Sequence, residues 1–127
     1  MTEAIELTTT YVHLDDGGQG SELPVTEDFW PSLMRGERQL SGRLVIASDL
    51  AGDTGHWEMH PAGEELLFLQ SGSIEVVMER DGETGRVALA AGQACLVPRG
   101  AWHRVVVHEP GRLLFITYGE GTQHRPL

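Results

Sequence analysis

The residues best suited to chemistry are histidines and glutamates that recur at short spacing in the middle of the chain. If the segment around Glu58 is a β-strand, its period of two places His56, Glu58 and His60 on one face. Glu65 opens the next strand after a Pro-Ala-Gly turn, and its carboxylate reaches the same place if the two strands pair. This spacing predicts a cluster of imidazole and carboxylate groups on one side of a sheet.

A further histidine, His103, stands at the start of an apolar strand far downstream. It shares a strand face with Val105 and Val107, and the two valines indicate that this face is inside. Imidazoles and carboxylates that converge in an apolar interior are costly to bury unless they find partners. A divalent metal is such a partner, because neutral imidazole nitrogens and carboxylate oxygens suit Mn, Fe, Ni, Zn or Cu.

The elements that must position these groups are short apolar segments separated by turn signals, many of them about ten residues apart. This pattern predicts an all-β sandwich or barrel. A Thr-Glu-Asp sequence at 26–28 favours a short helix before Gly36, and Pro31 limits it to a turn or two. The predicted strands are 9–14, 40–48, 56–60, 65–70, 73–79, 86–89, 94–97, 102–108 and 112–118.

The strand 65–69 is apolar on both faces, with Leu66 and Phe68 opposite Leu67 and Leu69. Both faces of such a strand need cover. A second sheet, the N-terminal segment or another subunit could supply it, and the last of these favours a homodimer.

These residues resemble the two signature motifs of the cupin superfamily. The first motif, G-x5-H-x-H-x3–4-E-x6-G, corresponds here to Gly52, Glu58, His60, Glu65 and Gly72. The second motif, G-x5-P-x-G-x2-H-x3-N, corresponds to Gly92, Pro98, Gly100, His103 and Val107. The resemblance implies a double-stranded β-helix, a jelly-roll barrel with an internal pocket. It also adds the family's habit of dimerising to the case for a homodimer.

The family's metal ligands carry over by position as Glu58, His60, Glu65 and His103. Glu58 stands where the family has its first histidine, so it is either a direct ligand or a carboxylate that hydrogen-bonds His56 or an arginine. Two carboxylates with two neutral imidazoles neutralise a dication, which makes the metal a weaker Lewis acid. We expect His56 to line the pocket or to support a ligand.

We interpret residues 1–127 as a single cupin domain. Its predicted parts are an N-terminal arm with a short helix or turn (1–38), a barrel core (39–118) and a C-terminal tail (119–127). The tail contains His124 and Arg125, and we expect it to fray as a polar terminus. The alternative is that it reaches into a pocket. Glu64, next to Glu65, is expected at the surface.

Composition argues against several classes of function. The net charge is −10, which leaves no basic stripe for nucleic acid and opposes binding to anionic membranes. All nine basic residues are arginine, so lysine Schiff-base chemistry is excluded. The lone Cys95 cannot form an intrachain disulfide or a thiolate-rich metal site. With no signal-peptide pattern and no apolar run of the ~18 residues that span a bilayer, we expect a cytoplasmic protein.

Three functions remain for the predicted barrel. The first is a metal-dependent enzyme, an oxygenase acting on a small organic molecule. The second is a non-catalytic module that binds a small molecule without metal chemistry. The third is an isomerase or epimerase, against which the lack of lysine and the acidic pocket weigh.

Overall fold

The computed structural model describes residues 2–38 and 40–127. These residues form eleven strands and one helix. The elements in chain order are β1 (Thr10–Leu14), β2 (Gly20–Pro24), α1 (Phe29–Met34), β3 (Arg43–Leu50), β4 (His56–Met59), β5 (Glu65–Leu69), β6 (Ser73–Arg80), β7 (Glu83–Ala90), β8 (Ala94–Val97), β9 (Trp102–Glu109), β10 (Gly111–Thr117) and β11 (Gln123–Pro126).

The strands form two antiparallel sheets that pack against each other. One sheet has six strands in the order β2-β1-β3-β10-β5-β8, and the other has five in the order β11-β4-β9-β6-β7. Alternate apolar side chains from both sheets meet in one buried core. This arrangement confirms the predicted all-β jelly-roll fold. The core residues are Leu67, Leu69, Ile74, Val76, Leu89, Val97, Ala101, Val105 and Leu113.

The N-terminal arm is packed onto the six-stranded sheet by a second apolar cluster. Its buried members are Tyr11, Phe29, Leu44 and Ile46, and the Tyr11 and Phe29 rings meet edge to face at 5.3 Å. The predicted short helix is present as α1, although Asp28 caps it without a side-chain hydrogen bond. Through α1, the arm forms a wall beside the barrel.

Several element boundaries were predicted wrongly. The stretch 83–85 is strand rather than turn, because the β6–β7 reversal needs only Asp81 and Gly82, both with positive φ. The polar strand β2 carries no apolar alternation that would have predicted it. The tail was expected to fray, yet it forms β11 along the edge of β4. Without β11, that edge of β4 would be open, and open strand edges need partners or protection.

The strand β5 is covered on its inner face by the core, while Leu66 and Phe68 on its outer face are half-buried. Among the described residues, no helix has the length and apolar character that a membrane span requires.

Candidate metal centre

Three adjacent strands place a glutamate between two histidines on one face of the five-stranded sheet. Glu58 on β4 lies opposite His103 on β9 and opposite His124 on β11. Neighbouring strands are about 4.8 Å apart, so the three side chains form a row across the sheet. One ligand atom from each of Glu58, His60 and His103 lies within 4.8 Å of the others. Three of the four residues predicted as ligands therefore converge.

The fourth predicted residue, Glu65, reaches the same cluster from the six-stranded sheet. Its Oε1 is 2.9 Å from His103 Nε2 and its Oε2 is 3.2 Å from His60 Nε2. His60, Glu65 and His103 are each between 4% and 6% exposed. The predicted division between neighbours is also found, because Glu64 is exposed while Glu65 is buried.

The far nitrogens of both buried imidazoles face hydrogen-bond acceptors. His60 Nδ1 is 2.8 Å from Thr122 Oγ1, whose own proton goes to the Gly119 carbonyl at 2.9 Å. His103 Nδ1 makes a longer 3.4 Å contact with the Ala101 carbonyl. These acceptors assign the proton to Nδ1 in each neutral ring, so each Nε2 lone pair points towards Glu65.

A carboxylate facing two such lone pairs needs a cation between them. In a cation-free site His103 can take a second proton, since the hydrogen bond and charge of Glu65 raise the pKa of His103 against the opposing effect of burial. Burial likewise opposes ionisation of Glu65, but in this cation-free state His103, and to a lesser degree His60, lowers the pKa of Glu65 to about 2 when these rings carry a proton towards it. His60 Nε2 remains buried without a hydrogen-bond partner. This orphaned nitrogen and the mixed donor set fit a divalent transition metal.

The two sequence motifs hold each other in place through the backbone. The Gly100 amide, in the turn before β9, donates to the His60 carbonyl at 3.1 Å. Gly63 packs so closely on the Tyr118 ring that an added Cβ would clash with the ring. Asp53 Oδ1 accepts from the Val107 amide at 2.7 Å, which ties the start of the first motif to β9.

The cluster lies between two cavities, and both Glu58 and Glu65 line each of them. The larger cavity, about 360 Å³, is also lined by His60 and His124. The smaller, about 160 Å³, is also lined by His56 and His103. The apolar wall of the larger cavity comes partly from the N-terminal arm, through Trp30, Leu33 and Met34. Leu40 follows the arm, and Leu44 and Phe115 come from the sheet.

Two site residues were missed or misjudged from the sequence. Thr122, which holds His60, sits in a polar tail that gives no signal of its role. His124 was noticed there, but the tail was expected to fray; its Nε2 is instead 3.1 Å from Glu58 Oε1. The hydrogen-bond partner of Glu58 is therefore His124. The predicted alternative was a hydrogen bond to His56 or to an arginine. His56 lines the smaller cavity, as expected.

Cys95 lies outside the cluster and packs against the core. Burial, with a smaller contribution from the charge of Glu65, raises the pKa of its thiol. Because a protonated thiol is a poor nucleophile, this environment suits packing.

A family model described as "Cupin domain" matches residues 45–117, which is more than half of the chain. The matched stretch contains both sequence motifs and all four residues predicted as ligands. The chain has no match among curated proteins.

Several solved structures resemble this fold. Hydroquinone 1,2-dioxygenase from Sphingomonas sp. TTNP3, solved with 4-hydroxybenzoate, is 20% identical with a TM-score of 0.51, and the match covers 63% of this chain and 60% of that one. A cupin-2 domain protein from Shewanella frigidimarina is 18% identical with a TM-score of 0.52, covering 64% and 74%. HppE with Co(II) and substrate is 18% identical with a TM-score of 0.51, covering 60% and 44%.

The chain therefore spans less than two thirds of the dioxygenase and less than half of HppE. Another hydroquinone 1,2-dioxygenase was solved with Cd²⁺, and HppE was also solved with Fe(II). At these identities the likeness shows the fold, and the chemistry must be argued from the residues of this chain.

Proposed function

The chain belongs to the cupin domain family, and from that premise we propose that it holds a divalent transition metal and binds a small organic molecule beside it. The proposed metal ligands are Glu58, His60, Glu65 and His103. The candidate metals remain Fe, Mn, Ni, Zn and Cu, all of which accept imidazole and carboxylate donors.

The observation that carries this proposal is the state of His60 Nε2. It is buried, it has no hydrogen-bond partner, and it faces the Glu65 carboxylate at 3.2 Å. Its other nitrogen is already held by Thr122. A buried polar atom without a partner costs about 1–3 kcal/mol. A metal bound by His60 and Glu65 together removes that cost, and Thr122 orients the ring for it.

The ligand set also favours oxygenase chemistry. His60, His103 and Glu65 supply two imidazoles and one carboxylate, the donor set of non-haem iron oxygenases. Iron or another redox-active metal held by them would supply one-electron chemistry with O₂. Glu58, fixed by its hydrogen bond to His124, is placed beside these ligands, where its carboxylate can accept a proton from a bound substrate.

The larger cavity indicates the class of molecule that would bind. Its volume of about 360 Å³ falls in the range of small-molecule pockets. Its wall combines six apolar side chains with the polar groups of the metal centre and with Arg38 and Glu120. This distribution suits a compact organic molecule with an apolar body and one polar end. Hydroquinone and simple phenols are reasonable first candidates, because a fold relative was solved with 4-hydroxybenzoate.

Metal content tests the centre directly. After dialysis against metal-free buffer, we expect untagged wild-type protein to retain about one tightly bound metal by mass spectrometry. His60→Ala and His103→Ala should each lose it, while His108→Ala should not, because His108 is exposed and paired with Glu75. Wild-type protein that retains no metal after loading with Fe, Mn, Ni or Zn would contradict the proposal.

Oxygen consumption tests the chemistry. Protein loaded anaerobically with Fe(II) should take up O₂ when a substrate is added from a panel of phenols, diketones, thiols and flavonols. Uptake should vanish in His103→Ala.

The second candidate function is a non-catalytic binding module. It is favoured by the contact between Glu58 and His124, because that carboxylate has a partner without any metal. Saturable binding of a panel compound to metal-free protein, with no O₂ uptake by the Fe(II) form, would select this function.

We also propose that the protein is a homodimer. The outer face of the six-stranded sheet presents half-buried Leu66 and Phe68 beside the exposed Leu96. A second copy that packs there would cover the apolar face. A monomer by light scattering at micromolar concentration would contradict this.

A further inference from the structure

A second group of potential ligands lies next to the inner centre, on the strand that was expected to fray. His56, Glu58 and His124 each offer a ligand atom, and these atoms lie within 4.8 Å of one another. The rings of His56 and His124 are 4.8 Å apart between centroids. His124 Nε2 is already 3.1 Å from Glu58 Oε1. None of the inner histidines belongs to this group.

The strand register explains why the group forms. His124 on β11 is directly opposite Glu58 on β4, while His56 lies two residues away on the same face of β4. Arg125 follows His124 on β11 and points to the other face of the sheet. There its guanidinium lies over the Trp57 and Trp102 rings and donates to Glu79 at 2.8 Å. That arginine therefore brings no positive charge against a cation bound between the histidines.

The donors suit a transition metal. Two imidazole nitrogens and one carboxylate oxygen are a common three-ligand set for zinc, with water completing the coordination. A carboxylate has two oxygens, so Glu58 can serve this group and the inner centre together. The side chains of Glu58 and His124 are 33% and 28% exposed, so a metal reaches them from solvent without opening the barrel.

We propose that His56, Glu58 and His124 form a second, outer site for a divalent transition metal, adjoining the inner centre through Glu58. The outer site goes beyond the proposed function, and it shares only Glu58 with it. The two sites differ in access. The inner ligands His60, Glu65 and His103 are almost completely buried, whereas the outer ligands, including the shared Glu58, meet solvent.

Zinc stoichiometry tests the outer site. Full-length protein is dialysed against buffered free Zn²⁺ in the low micromolar range, and bound zinc is measured by mass spectrometry. Wild-type protein should bind two zinc ions, and His56→Ala and His124→Ala should each bind one. His103→Ala should also bind one, because it keeps the outer ligands. His108→Ala, which removes an exposed histidine elsewhere on the same sheet, should still bind two.

Several outcomes would overturn the outer site. One is a single zinc in the wild type that His103→Ala loses, because that zinc then belongs to the inner centre. Another is two zinc ions in His124→Ala. A third is a single wild-type zinc that His103→Ala loses and that His124→Ala binds more weakly, which would make His124 a positioning residue for Glu58. The conservative His124→Gln, with thermal unfolding to show that it folds, separates loss of a ligand from loss of β11. Failure of the inner centre alone would instead leave wild type and His103→Ala with the same single outer zinc.

Discussion

The inner and outer histidines lie a few ångströms apart yet meet very different surroundings. His60 and His103 are buried against Glu65, and each has its far nitrogen beside an acceptor. The rings of His56 and His124 lie 4.8 Å apart, tilted by 59°, at the solvent side of Glu58. The contacts of these far nitrogens orient the inner pair. The outer pair depends on a four-residue edge strand, β11.

This difference shows how burial turns a set of donors into a binding site. Water can satisfy an exposed imidazole, so the outer group is stable without metal. An orphaned nitrogen in the interior has no such substitute. We therefore expect tight binding and strong pH dependence inside, and weaker, readily exchanged binding outside.

The largest loss of inner metal affinity is expected from a substitution of Glu65. Glu65→Gln keeps the shape of the side chain but removes the charge that faces both buried imidazoles. We expect inner metal affinity to fall at least ~100-fold, more than loss of a supporting hydrogen bond would cause. The matched control is Glu64→Gln, one residue away and exposed. Competition with a chromophoric chelator measures both variants, and equal affinities would remove Glu65 from the ligand set.

Acid should destabilise the metal-free inner cluster. Because the pKa of Glu65 is lowered from 4.5 to about 2, its stabilising contribution is complete above pH 4.5 and disappears as pH falls towards 2. At about 1.4 kcal/mol per pKa unit, that contribution is at most about 3.5 kcal/mol. Urea unfolding of chelator-treated protein should show the acid decline, and Glu65→Gln should flatten it. An equally steep decline in the variant would assign it to other groups.

A rise in pH above 6.5 should change both stability and metal affinity through the titration of His103. Its pKa is raised above 6.5, so the ion pair with Glu65 stabilises metal-free protein below pH 6.5 and is lost as pH rises through the raised value. Metal competes with that proton, so metal affinity should rise over the same pH range. Affinity that does not change with pH there would contradict a His103 ligand.

Removing support from His60 should have a moderate effect. Thr122→Val deletes the hydroxyl that accepts the His60 Nδ1 proton at 2.8 Å. We expect a ~10–100-fold loss of inner metal affinity, the usual cost of losing such a support. Thr84→Val, on exposed β7, is the control. An unchanged affinity would show that the ring is oriented by its packing alone.

The smallest effect is expected at Glu58, which the two sites share. Glu58→His restores the residue type of the cupin motif and should retain the inner metal or tighten its binding. Glu58→Ala should weaken it by roughly tenfold, since three inner ligands remain. Titration calorimetry measures both variants. Binding by Glu58→Ala as tight as that of wild type would exclude Glu58 as an inner ligand.

Local sequence pattern was enough for much of the site. Alternation along the predicted strand 56–60 put His56, Glu58 and His60 on one face, and the same reasoning assigned Glu65 inward and Glu64 outward. The strands of the barrel were recovered because their apolar residues follow the period of the sheet. The turn before β7 was predicted to extend to residue 85, because neither Glu83 nor Thr84 is apolar, but only Asp81 and Gly82 form it.

The sequence by itself determined the family, the all-β class and the four residues that converge at the inner cluster, because spacing along a strand translates directly into a shared face. Only the tertiary structure decided what surrounds them. Thr122 and His124 reach the cluster through β11, whose pairing depends on the open edge of β4 rather than on its own polar residues. Part of the cavity wall comes from α1, which ends more than twenty residues before β4 begins. Packing between distant segments made that part of the site, and no local pattern records such packing.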